Sequence, residues 1–198
     1  QMCIRDSSYT VQYTLNDGTP AGHPATNPNT VTSYTVLDPN VTLAPATRTG
    51  YDFEGWYDNP GFTGTPITGF STSDAENKHY YAKWSAAKSY TVQWNLNDNT
   101  PAGHPASNPN TVATYTVEDA DVTIQPATRT GYTFLGWYDN AALTGTPITN
   151  LHTMDAANKQ YFAKWDSTPI SYPINYVLND GSPAGHPATN PAANLTSY

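Results

Sequence analysis

The sequence predicts a mainly β or small α+β chain, built from tandem copies of one module strung as beads on a string. Three observations carry this. Trp56 recurs as Trp137 and Trp84 as Trp165, and laying residues 9–84 over 90–165 leaves 53 of 76 positions identical without a gap. Self-similarity at a fixed offset is the signature of a repeat architecture. Each copy opens on an apolar alternation: Tyr9, Val11, Tyr13 and Leu15 in the first, Tyr90, Val92, Trp94 and Leu96 in the second. Side chains of a strand point to opposite faces in turn, so this period reads as a half-buried strand. Finally, Thr, Tyr, Val, Asn and Pro are prominent and long Leu/Ala/Glu/Lys runs are missing, which favours strands and turns over helices.

The elements follow in order. After the first strand, "NDG" (16–18) and "NDN" (97–99) put Gly or Asn where a turn needs positive φ. A loop rich in Pro, Gly and Asn runs through "TPAGHPATNPNT" (19–30). "TSYTV" (32–36) and "VTL" (41–43) read as strands, "PATRTG" (45–50) as a short turn, "STSDAEN" (71–77) as one helical turn and "HYYAKW" (79–84) as the closing strand. Phe53 and Trp56 stand three apart, which would set them on opposite faces of a regular strand. Gly55 between them allows a bulge that turns both rings inward, and Gly136 allows the same for Phe134 and Trp137.

The copies serve as an internal comparison. Apolar character persists at pairs such as 11/92, 36/117, 53/134, 56/137 and 84/165, whereas Glu54 becomes Leu135 and Leu37 becomes Glu118. Positions that exchange a charge for leucine belong on the surface, as on a sheet with one buried face. The expected core is Phe53, Trp56, Trp84, Trp94, Phe134, Trp137 and Trp165. The expected division is repeat 1 at 8–84, a linker at 85–89, repeat 2 at 90–165, a linker at 166–171 and a truncated third copy at 172–198. Residues 1–7, "QMCIRDS", resemble a translated sequencing adapter and are set aside as a non-native segment.

Composition excludes several functions. The formal charge is −8 with no Lys/Arg cluster, a poor match to nucleic acid. No apolar run approaches the roughly 20 residues that span a bilayer, so no membrane insertion is expected. The single cysteine, Cys3, permits no intrachain disulfide.

The search for chemistry yields little. The acids kept in both copies, Asp17 and Asp98 among them, sit in turn contexts beside Gly, Asn, Pro or Ser. Glu54 and Glu76, a tempting carboxylate pair, become Leu135 and Ala157 in copy two. His23, His104 and His186 recur inside "AGHP", but one histidine per copy cannot build a metal site of three or four ligands. No cofactor, metal site or catalytic residue is assigned. A lysine–asparagine crosslink would need Lys83 or Lys164 buried beside Asn and an acid. The AGHP loop, with Asp17 and His23, Asp98 and His104, and Asp180 and His186, remains the candidate binding feature, and a Pro-stiffened connection is the competing reading.

"PATRTGYTFLGWYDN" (126–140), "TGTPIT" and the closing Ala163-Lys164-Trp165 resemble the Listeria–Bacteroides repeat, the family that includes the B-repeat of internalin-type proteins. The resemblance implies a β-grasp-like (ubiquitin-like) module, and tandem monomeric arrays in secreted or wall-attached bacterial proteins. It supplies no catalytic residues and no ligand. The expectation is a non-catalytic spacer or stalk with weak interactions. The alternative is an adhesin module that binds a glycan or a host or cell-envelope protein through the AGHP loop or exposed tyrosines.

Overall fold

The computed structural model describes residues 7–18, 21–99 and 103–175. Asp180 and His186, with most of the third copy and of the N-terminal segment, lie outside the described residues. Repeat 1 holds eight short strands: β1 (Tyr9–Thr14), β2 (Ala25–Thr26), β3 (Ser33–Tyr34), β4 (Val41–Thr42), β5 (Thr47–Arg48), β6 (Phe53–Tyr57), β7 (Gly69–Phe70) and β8 (Lys78–Trp84). Repeat 2 has the same series: β9 (Tyr90–Asn95), β10 (Ala106–Ser107), β11 (Thr114–Tyr115), β12 (Val122–Thr123), β13 (Thr128–Arg129), β14 (Phe134–Tyr138), β15 (Asn150–Leu151) and β16 (Lys159–Trp165).

The main sheet of repeat 1 runs β3-β1-β8-β6, and that of repeat 2 runs β11-β9-β16-β14. β1 and β8 pair in parallel, with Tyr13 opposite Tyr80. β6 and β8 pair antiparallel, with Trp56 opposite Ala82. Two-residue ladders, β2 with β5 and β4 with β7, tie the loops down. The segment 45–50, expected as a simple turn, therefore contains a strand, and so does the Pro-rich loop it pairs with.

The expected β-grasp-like, small α+β fold is not found. That fold needs a helix packed on the sheet, and the only helical elements among the described residues are single 3-10 turns, Thr72–Asp74 and Thr153–Asp155. Their termination is local. Ala75 and Ala156 follow in the left-handed region, at φ 53° and 49°, which an L-residue helix cannot propagate through. The fold is two tandem sheet-rich repeats, almost entirely β. Among the described residues, one compact unit gathers those up to Val92 with Val112–Thr123 and Asn150–Lys159, and the other gathers Gln93–Thr111, Ile124–Thr149 and residues 160–175.

Rings fill the interior of repeat 1. The register shifts between Phe53 and Gly55, and Gly55 sits at φ 132°, where a β-carbon is strongly disfavoured. The shift brings the rings of Phe53 and Trp56 together at 5.4 Å, edge to face, with Trp84 5.4 Å from Phe53. Phe134 meets Trp137 at 5.7 Å and Trp165 at 5.3 Å in the same way, across the shift at Gly136. Trp56 and Trp137 are 1% and 2% exposed. Each indole N–H still finds an acceptor: Trp56 donates to Ala44 O, Trp137 to Gln125 O, Trp84 to Leu15 O and Trp165 to Leu96 O. Trp94 is half-buried, with its ring 5.0 Å from that of Trp137.

Candidate functional site

The candidate site is a cavity beside the arginine that binds the AGHP loop, found in both repeats. In repeat 1 it measures about 310 Å³ and is lined by Asn16, Arg48, Tyr51, Ala82, Trp84 and, from the turn after β11, Glu118. In repeat 2 it measures about 370 Å³ and is lined by Asn97, Arg129, Tyr132, Ala163 and Trp165.

Its walls are built by elements already described. Asn16 and Asn97 stand two residues past the first strand of each repeat, both at φ 50°, a left-handed conformation that asparagine tolerates. Their amides donate to Ala82 O and Ala163 O at 2.9 and 2.8 Å, which fixes the strand end to the closing strand. Arg48 and Arg129 project from β5 and β13 and are both buried. A buried guanidinium is costly without partners, and here backbone carbonyls supply them. Arg48 Nε donates to His23 O at 2.9 Å and its Nη2 to Asp17 O at 3.4 Å; Arg129 makes the same bonds to His104 O and Asp98 O at 2.8 and 3.2 Å. Each guanidinium also stacks over a tyrosine, Arg48 at 4.0 Å from the Tyr51 ring and Arg129 at 4.1 Å from Tyr132, a favourable cation–π geometry.

The loop candidates take scaffold positions. Asp17 accepts the backbone N–H of Ala25 at 2.7 Å, and Asp98 that of Ala106 at 2.7 Å. These carboxylates cap the start of β2 and β10. His23 is buried edge-on to Tyr51 at 6.0 Å, and its Nδ1 has no hydrogen-bond partner. His104 holds the same place against Tyr132 at 5.9 Å but is exposed. Lys83 pairs with Glu54 at 3.0 Å with its side chain 37% exposed rather than buried as a crosslink would need, and Lys164 donates to Leu143 O at 3.1 Å. Among the described residues no group of three or more His, Cys, Asp and Glu side chains is placed to hold a metal ion. No helix there is long and apolar enough to cross a membrane.

Tyr51 is the most perturbed group of the site. Burial comes first, and the bond its hydroxyl donates to Glu118 Oε1 at 2.6 Å adds to it; together they push its pKa up to about 12, against the lowering effect of Arg48. A phenol so held stays protonated across the physiological range.

Sequence reading missed Arg48 and Arg129. The signal was present: "PATRTGY" is unchanged between copies, and its arginine is one of only 8 Lys+Arg residues in the chain. An arginine retained in so cation-poor a sequence, beside a glycine and an aromatic ring, points to a guanidinium that closes a loop.

Duplicated sheets whose polar side chains brace their own backbone define a tandem-repeat protein. The chain matches the Listeria-Bacteroides repeat domain over residues 9–83 and again over 90–164, and it belongs to that family. No solved structure matches it.

Proposed function

We propose that the chain is the spacer or stalk region of a bacterial cell-surface or secreted protein, each repeat serving as one structural domain with weak interactions of its own. One observation carries this reading: the polar side chains shared by both cavities spend their hydrogen bonds on the chain's own backbone. A recognition or catalytic site presents such groups to a ligand. Here Asn16, Asp17 and Arg48 close loops. The test places a reporter epitope beyond one or two repeats on a bacterial surface and measures its height by fluorescence interference. Height that grows with repeat number and is unchanged by His104→Ala supports the spacer.

A second reading is an adhesin module that uses the AGHP loop. The exposure of His104 favours it. A glycan array followed by titration calorimetry separates the two, since saturable binding lost in His104→Ala supports the adhesin alone.

A further inference from the structure

The residues that follow each closing strand continue its ladder. Past Phe53 and Trp84, paired where β6 meets the end of β8, Ser85 donates its backbone N–H to Asp52 O at 3.0 Å. Its Oγ accepts the N–H of Asp52, also at 3.0 Å. Lys88 then donates its N–H to Gly50 O at 2.8 Å, and its ammonium pairs with the Asp52 carboxylate at 3.0 Å. Repeat 2 follows the same course after Trp165. Asp166 donates to Thr133 O at 2.9 Å and Ile170 to Gly131 O at 2.7 Å. The second connection is one residue longer, 166–171 against 85–89, yet it returns to the matching glycine carbonyl. A short polar connection without such bonds would be a flexible tether. These two are sewn to the repeat they leave.

The corner at Gly50 has a second use. In the compact unit that gathers repeat 1 with Val112–Thr123, the turn after β11 packs on it. Val117 is 2% exposed and lies so close to Gly50 that a β-carbon on the glycine would overlap both its Cγ atoms. Glu118 accepts the Tyr51 hydroxyl at 2.6 Å. Glycine serves there on two counts: the backbone stands at φ 80°, and the missing side chain lets Val117 approach. One corner thus holds the outgoing connection by its carbonyl, and a turn of the following repeat by its bare α-carbon and the neighbouring phenol.

We propose that this corner is a clasp, which makes repeat 1 and the repeat that follows it open as a coupled pair. The surface is Gly50 with Tyr51. The partner it fits is a following repeat of the same chain whose turn carries an aliphatic residue and then a carboxylate. A contact that exists only when both repeats are folded stabilises each by the same amount, because linked equilibria are reciprocal. Nearest-neighbour terms of this kind set the cooperativity of repeat arrays. The mechanical meaning of the clasp rests on the spacer reading: in a spacer, it lets small modules resist opening one at a time.

Hydrogen exchange at the indole N–H groups of Trp56 and Trp137, followed by NMR in the full chain, reads the opening of each repeat separately. Two variants break the clasp from opposite sides. Glu118→Leu removes the acceptor from repeat 2 and installs the residue that repeat 1 carries at the matching position, Leu37. Tyr51→Phe removes the donor from repeat 1 and keeps the ring. Glu118→Leu should speed exchange of the Trp56 proton, and Tyr51→Phe that of the Trp137 proton. Each should rise roughly 5–30-fold, the factor that about 1–2 kcal/mol makes in a folding equilibrium, and a hydrogen bond to a charged group is of that order. Faster exchange confined to the repeat that carries the substitution, or no change in either repeat, overturns the clasp. Surface height that ignores repeat number would overturn the spacer reading and leave the exchange result standing, so the two failures are told apart.

Discussion

Arg48 Nε donates to the carbonyl of His23 at 2.9 Å, across 25 residues of chain, and Arg129 makes the same bond to His104 at 2.8 Å. A buried side chain thus closes each Pro-rich loop onto β5 or β13, and the AGHP segment is held from beneath. Replacing Arg48 with alanine strands two carbonyls. Each buried carbonyl left without a donor costs about 1–3 kcal/mol, so urea unfolding of Arg48→Ala should shift to clearly lower denaturant. Arg48→Lys should rescue little, because an ammonium lacks the planar fork that reaches both carbonyls. Wild-type midpoints for both variants would show that the guanidinium is not the closure.

The bulge glycines are a second point of leverage. A β-carbon on Gly55 would stand 2.6 Å from Pro66 Cβ, and one on Gly136 would stand 2.6 Å from Pro147 Cβ, both at φ near 130°. Strained backbone of this kind costs on the order of 1–3 kcal/mol before the clash is added. Gly136→Ala should therefore destabilise its repeat by more than that range, read from chemical denaturation. Gly64→Ala offers a control, since it has positive φ but nothing within 4 Å, and its smaller loss isolates the clash.

Trp137 and Leu135 lie on the same strand, yet their losses should differ widely. Trp137 is 2% exposed and Leu135 is 43% exposed. Trp137→Ala should cost about 3–5 kcal/mol, a large share of the stability of so small a repeat, and Leu135→Ala should stay within about 0.5 kcal/mol. Thermal melts followed by near-ultraviolet dichroism measure both.

Much of this was legible before any coordinates. The alternation from Tyr9 to Leu15 marks β1 because a half-buried strand imposes period two. Gly55 between Phe53 and Trp56 marks the bulge because only a register shift lets both rings turn inward. Leu37, exchanged for Glu118 between copies, is 79% exposed. What could not be read has physical causes. Ladders of two residues, such as β2 with β5, are too short to leave a period. The helix implied by family resemblance is absent because Ala75 turns left-handed after one 3-10 turn, a backbone choice that its sequence does not announce. Val36 and Val117 look equivalent as apolar positions, but Val117 packs against Gly50 of the other copy and is 2% exposed where Val36 is 44% exposed, a difference no local pattern encodes.

Alkaline pH should loosen the fold in a defined window. Burial pushes Tyr51 up to about 12, helped by its bond to Glu118, and burial does the same to Tyr80. A phenol whose folded pKa lies above its ordinary value of 10.0 keeps its proton in the folded state after the unfolded chain has released it. Its contribution is fully present below pH 10 and is lost as pH rises toward 12. Urea midpoints should fall across that window, and Tyr51→Phe should flatten part of the slope. A slope unchanged in Tyr51→Phe would show that its phenol ionises as freely in the folded chain as in the unfolded one.

The central claim is that the repeated rings are buried structure rather than the lining of a functional cleft. Hydrogen exchange at the indole N–H groups, followed by NMR, tests it at atomic resolution. The bonds from Trp56 to Ala44 O and from Trp137 to Gln125 O predict that these two protons exchange only through unfolding, slowing in step with stability as denaturant is withdrawn. Exchange of either proton at the rate of an open indole, with the fold intact, would contradict the account.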